Sequence, residues 1–241
     1  MADYSTRDWY YDEFQQVGID FGSADEVARY DEEIGRGINQ RDNCNEIVDA
    51  LGLRETDRVL EIGTATGRLA IDLAAKCAQV YAVDISQAML DFASLRAQRM
   101  GRYNVEFARA GFLTYCPAVA LDAVVTKFAL HHLPDHWKFV AAKKMHDMLK
   151  PGGRLFLKDA VISVEINDFF DSVDLWVSNT REASGEKPAS AVVACIKDEY
   201  PTYAWIMEKM LKLVGFRIDA ATHAYGLHST FICTKQSSLV G

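Results

Sequence analysis

Glu61, Gly63 and Gly67 fall within one short stretch, Val59-Leu60-Glu61-Ile62-Gly63-Thr64-Ala65-Thr66-Gly67-Arg68-Leu69-Ala70, and their types and spacing describe a ligand cradle. Glycines let a backbone turn sharply and lie against a ligand with no Cβ in the way. The Gly-x-x-x-Gly spacing, with Ala65 between, is not the Gly-x-Gly-x-x-Gly of a dinucleotide loop, and no Gly-Lys-Ser/Thr follows. A carboxylate just before the turn disfavours a pyrophosphate and suits a cation. An adenosyl ligand bearing an ammonium and a sulfonium meets these requirements. Asp84 closes the next apolar run, Gln79 to Ser86, near the ~20 residues beyond the loop at which a strand-end carboxylate meets a ribose. Its other reading is a turn or helix-cap acid, although Ser86 already supplies a cap for a helix from Gln87 to Arg99. Met89, one turn into that helix, is either an adenine wall or core.

Proton chemistry has three candidates. His131 and His132 follow a strand in Ala129-Leu130-His131-His132-Leu133-Pro134, and Asp159 ends the strand Arg154 to Asp159. A histidine near its ordinary pKa of ~6.5 accepts a proton at neutral pH; the alternative is that one of the pair caps the turn or sits in the core. His136, His146, His223 and His228 form no ligand spacing with them, so no metal site is expected. Tyr10, Tyr11 and Tyr30 lie in an aromatic, acid-rich segment that either packs on the domain surface or closes over the ligand, where they would line a substrate pocket.

These residues need elements to hold them. Strand patterns at Val59–Ile62, Gln79–Ser86, Val105–Ala110, Leu121–Lys127 and Arg154–Asp159 alternate with helical ones at Arg68–Lys76, Gln87–Arg99 and Asp135–Leu149, the last ending at Lys150-Pro151-Gly152-Gly153. Such alternation predicts an α/β fold with a doubly wound, mostly parallel sheet and ligands outside the carboxyl ends of the strands. A helix from Tyr203 to Leu213 carries Trp205, Ile206, Met210 and Leu213 as its apolar stripe. Phe216–Thr222 and His228–Thr234 then pair as an antiparallel edge hairpin. Residues 1–45 read as a helical cover and 46–241 as the ligand-binding domain, with 163–202 a lid or insertion.

Composition bounds the rest. At 241 residues and 49% hydrophobic content the chain suits one well-buried domain. A formal charge of −8 argues against a phosphate-backbone partner, so no nucleic acid is expected and a small-molecule acceptor is favoured. The five cysteines contain no Cys-x-x-Cys pair and read as reduced, buried thiols. No run approaches the ~20 apolar residues of a membrane span, so a cytoplasmic protein is expected, as monomer or homodimer.

In order and at this spacing, Val59 to Gly67, Val83-Asp84-Ile85-Ser86, Ala129 to Pro134 and Leu149 to Gly153 resemble the class I S-adenosylmethionine-dependent methyltransferases. The type implied is the small-molecule one, with a methyltransferase domain similar to those of ubiquinone and menaquinone biosynthesis. The resemblance covers roughly Ile47 to Thr234. It implies a seven-stranded Rossmann-like sheet and S-adenosyl-L-methionine as cofactor, leaving S-adenosyl-L-homocysteine. By position it assigns Glu61, Gly63, Thr64, Ala65 and Gly67 to the methionine end, Asp84 to the ribose, and Ile85 and Met89 to the adenine walls. Gly111 and Phe112 fall near the adenine edge, and Lys127 and Phe128 after the fourth strand. The family commonly has glycine where Ala65 stands, so its methyl narrows the loop. Many members place an acid where Gly111 stands, so the adenine edge is left to backbone groups or water. The reaction implied is in-line methyl transfer to an acceptor atom. A cofactor-binding sensor or partner subunit without activity is the alternative, and a nicotinamide oxidoreductase a third.

Overall fold

The computed structural model describes residues 7–15, 23–37 and 40–236. Of the N-terminal cover, residues 1–6, 16–22, 38 and 39, with Gly18, Phe21 and Gly22 among them, lie outside the described residues, as does 237–241.

Two helices, α1 (Ala24–Gly37) and α2 (Gln40–Leu51), precede the alternating units β1 (Arg58–Ile62), α3 (Arg68–Leu73), β2 (Gln79–Asp84), α4 (Gln87–Arg99), β3 (Val105–Arg109), β4 (Leu121–Lys127), α5 (Asp135–Met148) and β5 (Leu149–Ile162). Two helices, α6 (Phe169–Ser184) and α7 (Glu186–Asp198), follow, and then β6 (Thr202–Tyr203), α8 (Ala204–Leu213), β7 (Phe216–Ala224) and β8 (His228–Lys235).

The sheet order is β3-β2-β1-β4-β5-β8-β7, with β6 paired to β5 off this path. Strands β1 to β5 run parallel to one another, and β8 is antiparallel to both β5 and β7. This is the expected doubly wound sheet, with eight strands rather than seven. The addition is β6, two residues that are too short to leave a pattern. β1 pairs β2 on one side and β4 on the other, so the strand order reverses at β1, and in such sheets ligands bind beyond the carboxyl ends at that point. The loop after β1 stands at this end of the sheet.

Apolar residues fill both faces, as parallel strands require. One cluster joins Leu60, Ile62 and Val124 to Met145 of α5 and Met207 and Leu211 of α8; the other joins Val59, Val80 and Val125 to Leu69 and Leu73 of α3 and Ile47 and Leu51 of α2. The division expected at 45/46 thus falls inside α2, which packs on the sheet through Cys44, Ile47 and Leu51.

Several sequence expectations are corrected. Helix α3 stops at Leu73 rather than Lys76, because its end tightens into i→i+3 bonds, Ala75 N–H to the Asp72 carbonyl and Lys76 N–H to that of Leu73. Lys150 to Gly153 does not precede the fifth strand but lies within β5. Leu149 pairs with Leu121 and Arg154 with Ala123, and the residues between leave the ladder as a bulge. Asp159 accordingly sits inside β5, opposite Ser229, rather than at its end. In α8 the buried stripe is Ala204, Met207 and Leu211, and Trp205 and Leu213 face out. The polar stretch from Asn179 to Pro188 belongs to α6 and α7, divided at Gly185 (φ 94°). Four of the cysteines are buried, but Cys116 is exposed.

Candidate active site

The loop after β1 is tied to the end of β2: the N–H groups of Gly63 and Thr64 both donate to the Val83 carbonyl, at 2.9 and 3.0 Å. Gly63 (φ 78°), Ala65 (φ 46°) and Gly67 (φ 73°) all take the left-handed conformation. A Cβ at Gly63 would lie 2.5 Å from the Ala129 methyl, and one at Gly67 2.6 Å from that of Ala93. Conformation and room therefore both demand glycine at 63 and 67. At Ala65 the matter is less one of loop width than of backbone strain, about 1–2 kcal/mol for a residue with a Cβ. Its N–H donates to Asp84 Oδ2 at 2.8 Å, which holds it there. Ala65→Gly is expected to raise stability by up to about 1 kcal/mol in thermal denaturation, once the larger unfolded-state entropy of glycine is offset; a less stable variant would remove the strain from this account.

Two carboxylates face this loop. Glu61 on β1 is buried, and its Oε2 accepts from the Thr64 hydroxyl at 2.7 Å. Burial pushes its carboxyl up to about 7, against the opposing pull of the Thr64 bond and the Lys127 ammonium. Lys127 ends β4, and burial lowers its own pKa. Asp84 ends β2; its Oδ1 accepts from the Ser86 N–H at 2.9 Å and its Oδ2 from Ala65, and burial raises its pKa. Ile85 is half-buried, its carbonyl taking a bond from Arg109 Nε at 3.0 Å. Met89 is buried in the first turn of α4, its N–H capped by Ser86 Oγ. Tyr30 of α1 belongs with these residues: burial, and then the nearby carboxylates of Asp84 and Glu61, raise its hydroxyl pKa. It thus parts from Tyr10 and Tyr11, with which the sequence grouped it.

α1 is fastened over the loop by Asp31. Its Oδ1 accepts from Thr66 Oγ1 (2.7 Å), Arg68 Nε (2.8 Å) and Arg96 Nη1 (2.6 Å), and its Oδ2 from Arg68 Nη2 (2.6 Å) and Arg96 Nη2 (2.5 Å). Burial alone would raise this carboxyl; the two guanidiniums hold it far below the carboxylate range.

The surroundings of Gly111 differ from the expectation. Gly111 leaves room that the Glu13 carboxylate fills: a Cβ there would collide with Glu13 Oε2. Glu13 accepts from the N–H groups of Leu113 (2.9 Å) and Thr114 (2.8 Å) and from the Thr114 hydroxyl (2.7 Å). An acid is therefore present beside Gly111, delivered from the N-terminal segment instead of from the strand end. Phe112 points into the core. Tyr10 donates to the Leu113 carbonyl at 3.3 Å, and the rings of Tyr10 and Tyr11 pack on Trp137 of α5 at 4.9 and 5.9 Å.

Beyond β4, Phe128 is another left-handed residue (φ 49°), its N–H donating to the Lys158 carbonyl at 2.8 Å. Its ring meets His228 edge-on at 5.2 Å, and His228 meets Trp176 of α6 at 4.6 Å. His131 follows in a 3-10 turn, Leu130–His132, and is buried. Its Nδ1 lies 2.5 Å from Asp159 Oδ1 and its Nε2 3.2 Å from Glu199 Oε2, while His132 Nδ1 lies 3.7 Å from Glu199 Oε1. Burial would lower the imidazolium pKa, but Asp159 and Glu199 override it and hold His131 at about 9. Asp159 also accepts from the N–H groups of Leu130 and Ala160, both at 2.7 Å. Of the three expected proton carriers, the structure thus joins His131 to Asp159 and leaves His132 the most open, its side chain 35% exposed. Sequence reasoning missed Glu199, which stands just past α7 with no local motif around it. It also missed Glu13 and Asp31, whose partners lie on distant elements.

Residues 59–153 match the family described as methyltransferase domain. An uncharacterized methyltransferase of Bacillus mycoides is 26% identical over 208 residues, 84% of this chain and 92% of its own length. The 27-O-demethylrifamycin SV methyltransferase of Amycolatopsis mediterranei is 36% identical over 116 residues, 46% of this chain and 42% of its own. Among solved structures, a SAM-dependent methyltransferase from Aquifex aeolicus superposes with a TM-score of 0.60 at 17% identity, covering 88% of this chain and 98% of its own. The magnesium protoporphyrin IX methyltransferase of Synechocystis PCC 6803, solved with SAM bound, gives 0.57 at 18%, covering 82% and 79%. Residues 59–153 thus form a methyltransferase domain, and these likenesses support S-adenosylmethionine-dependent methyl transfer. No helix among the described residues is long and apolar enough to cross a membrane.

Proposed function

We propose that the acceptor is a small molecule and that the crevice beyond β1, β2 and β4 holds S-adenosylmethionine with its cationic end at Glu61. The observation that carries this reading is a buried carboxylate, Glu61, with its pKa raised to about 7 beside a left-handed loop. When bound, the cofactor supplies an activated sulfonium methyl, so the protein mainly orients the acceptor and keeps water out. Asp84 presents the remaining lone pairs of its two oxygens to the ribose, and Glu13 closes the adenine edge through the loop at Gly111. Phe128, His228 and Trp176 offer ring edges and faces to a flat acceptor. Both His131 nitrogens are engaged by carboxylates, so of the three candidate proton carriers His132 is the one open enough to meet an acceptor. Residues 163–202, which carry Trp176 and Glu199, are the lid in this reading, and the protein works in the cytoplasm.

Calorimetry with S-adenosylmethionine and S-adenosylhomocysteine, followed by turnover against a panel of hydroxyl, amine and thiol acceptors, tests the assignment. Cofactor binding with no product from any acceptor would remove the small-molecule reading. Glu61 gives a second test. With its folded pKa near 7 and an unfolded value of ~4.3, it keeps in the folded state a proton that the unfolded chain has lost. Ligand-free stability therefore falls as pH rises from about 4 through 7. A cation placed beside Glu61 draws that pKa down again, so binding at pH 6 releases a proton and tightens toward pH 7. Binding heats at pH 6 should differ between two buffers of unlike ionisation enthalpy; equal heats would place the cationic end elsewhere.

A further inference from the structure

His131, His132 and Glu199 bring one ligand atom each to within 4.8 Å of one another. The two measured separations to Glu199 are 3.2 Å from His131 Nε2 and 3.7 Å from His132 Nδ1. Ligand atoms around a tetrahedral ion with bonds of about 2.0–2.1 Å stand about 3.3–3.4 Å apart, so these distances straddle the value a metal needs. His131 is set for the task by its other nitrogen. Nδ1 is paired to Asp159, the carboxylate–histidine contact that fixes the tautomer and turns Nε2 toward a metal. Asp159 is itself held by two backbone N–H groups. Glu199 is held from the far side: the Tyr200 N–H donates to the His131 carbonyl at 2.9 Å, and the buried Lys138 ammonium bonds the Tyr200 carbonyl and Asp135. The side chains of His131 and Glu199 are 9% and 7% exposed, and His132 is the open side.

We propose that His131 Nε2, His132 Nδ1 and the Glu199 carboxylate form a divalent transition-metal site with one position left open, and that this position takes an oxygen of the methyl acceptor. Two imidazoles and a carboxylate suit Zn²⁺, Fe²⁺ or Co²⁺ over Mg²⁺ or Ca²⁺. The spacing of histidines along the chain predicted no metal site, because the third ligand comes from beyond α7. The metal site stands on geometry alone; only the identity of its open-position ligand rests on the methyltransferase reading.

The test uses the full chain, stripped of metal with chelator and titrated with cobalt(II) without cofactor or acceptor, so a failure of methyl transfer and a failure of this site are read separately. Wild type is expected to bind one equivalent with a visible ligand-field band, and sodium azide to shift that band by entering the open position. His132→Ala and Glu199→Gln should each weaken uptake at least tenfold, with circular dichroism checking that both are folded. No stoichiometric uptake by wild type, or uptake unchanged in both variants, overturns the site. A band that azide does not move overturns the open position.

Discussion

Asp84→Ala weakens S-adenosylmethionine binding at least tenfold and also lowers the melting temperature of the ligand-free protein. The first effect is the loss of a charged acceptor for the ribose hydroxyls, and tenfold corresponds to about 1.4 kcal/mol. The second follows from what Asp84 does without ligand: it accepts from Ala65 and Ser86, so the variant leaves two N–H groups unpaired at the rim of the crevice. A loop that includes a left-handed alanine has little reason to keep its shape once that acceptor is gone. Asp84→Asn separates the two. It retains one acceptor oxygen and should recover part of the stability while remaining weak in binding. Calorimetry and a thermal melt check both; unchanged affinity in Asp84→Ala would remove the residue from the site.

Asp31→Ala is expected to cost about 2–3 kcal/mol in urea denaturation. Removing one partner of a buried ion pair costs about 3–5 kcal/mol, and the partial exposure of Arg68 and Arg96, 27% and 21%, discounts this through solvent screening. Because the folded carboxyl is held below its unfolded value, the contribution is complete above about pH 4 and is lost as pH falls. A double-mutant cycle with Arg96→Ala isolates the pair. A loss under about 0.5 kcal/mol, no more than an ordinary exposed pair contributes, would show that α1 is docked by other contacts.

The doubly wound sheet was legible because its signals are local. Most strands contain a short apolar run, and several turns carry glycine where the backbone is left-handed, as at Gly63 and Gly67. Asp84 could be placed because a strand-end acid follows a glycine loop at a regular interval. What the chain conceals are pairings between distant segments. Glu13 reaches Leu113 across 100 residues, and its carboxylate fills the space that the glycine at 111 leaves. Glu199 sits among ordinary polar residues, and only the packing of the residues after α7 against the turn beyond β4 brings it to His131. Whether His131 accepts a proton or serves the turn and core stayed open, because sequence does not show that two carboxylates claim its nitrogens together. The stripe of α8 was misjudged because its small residue, Ala204, faces the sheet while the tryptophan beside it does not.

The helix pair α6 and α7 is built unequally. No side chain of α6 is buried, whereas α7 buries Ala189, Val192 and Cys195, and the two meet at Gly185 in a conformation open to glycine alone. Amides of α6 are therefore free to exchange through local openings that leave the sheet intact. The first cut in limited proteolysis is therefore expected in α6, while α7 keeps its anchors. Trp176 belongs to the half without buried side chains and Glu199 follows the half that has them, so if the segment acts as the proposed lid, α6 is the part expected to move while the carboxylate stays on the imidazole.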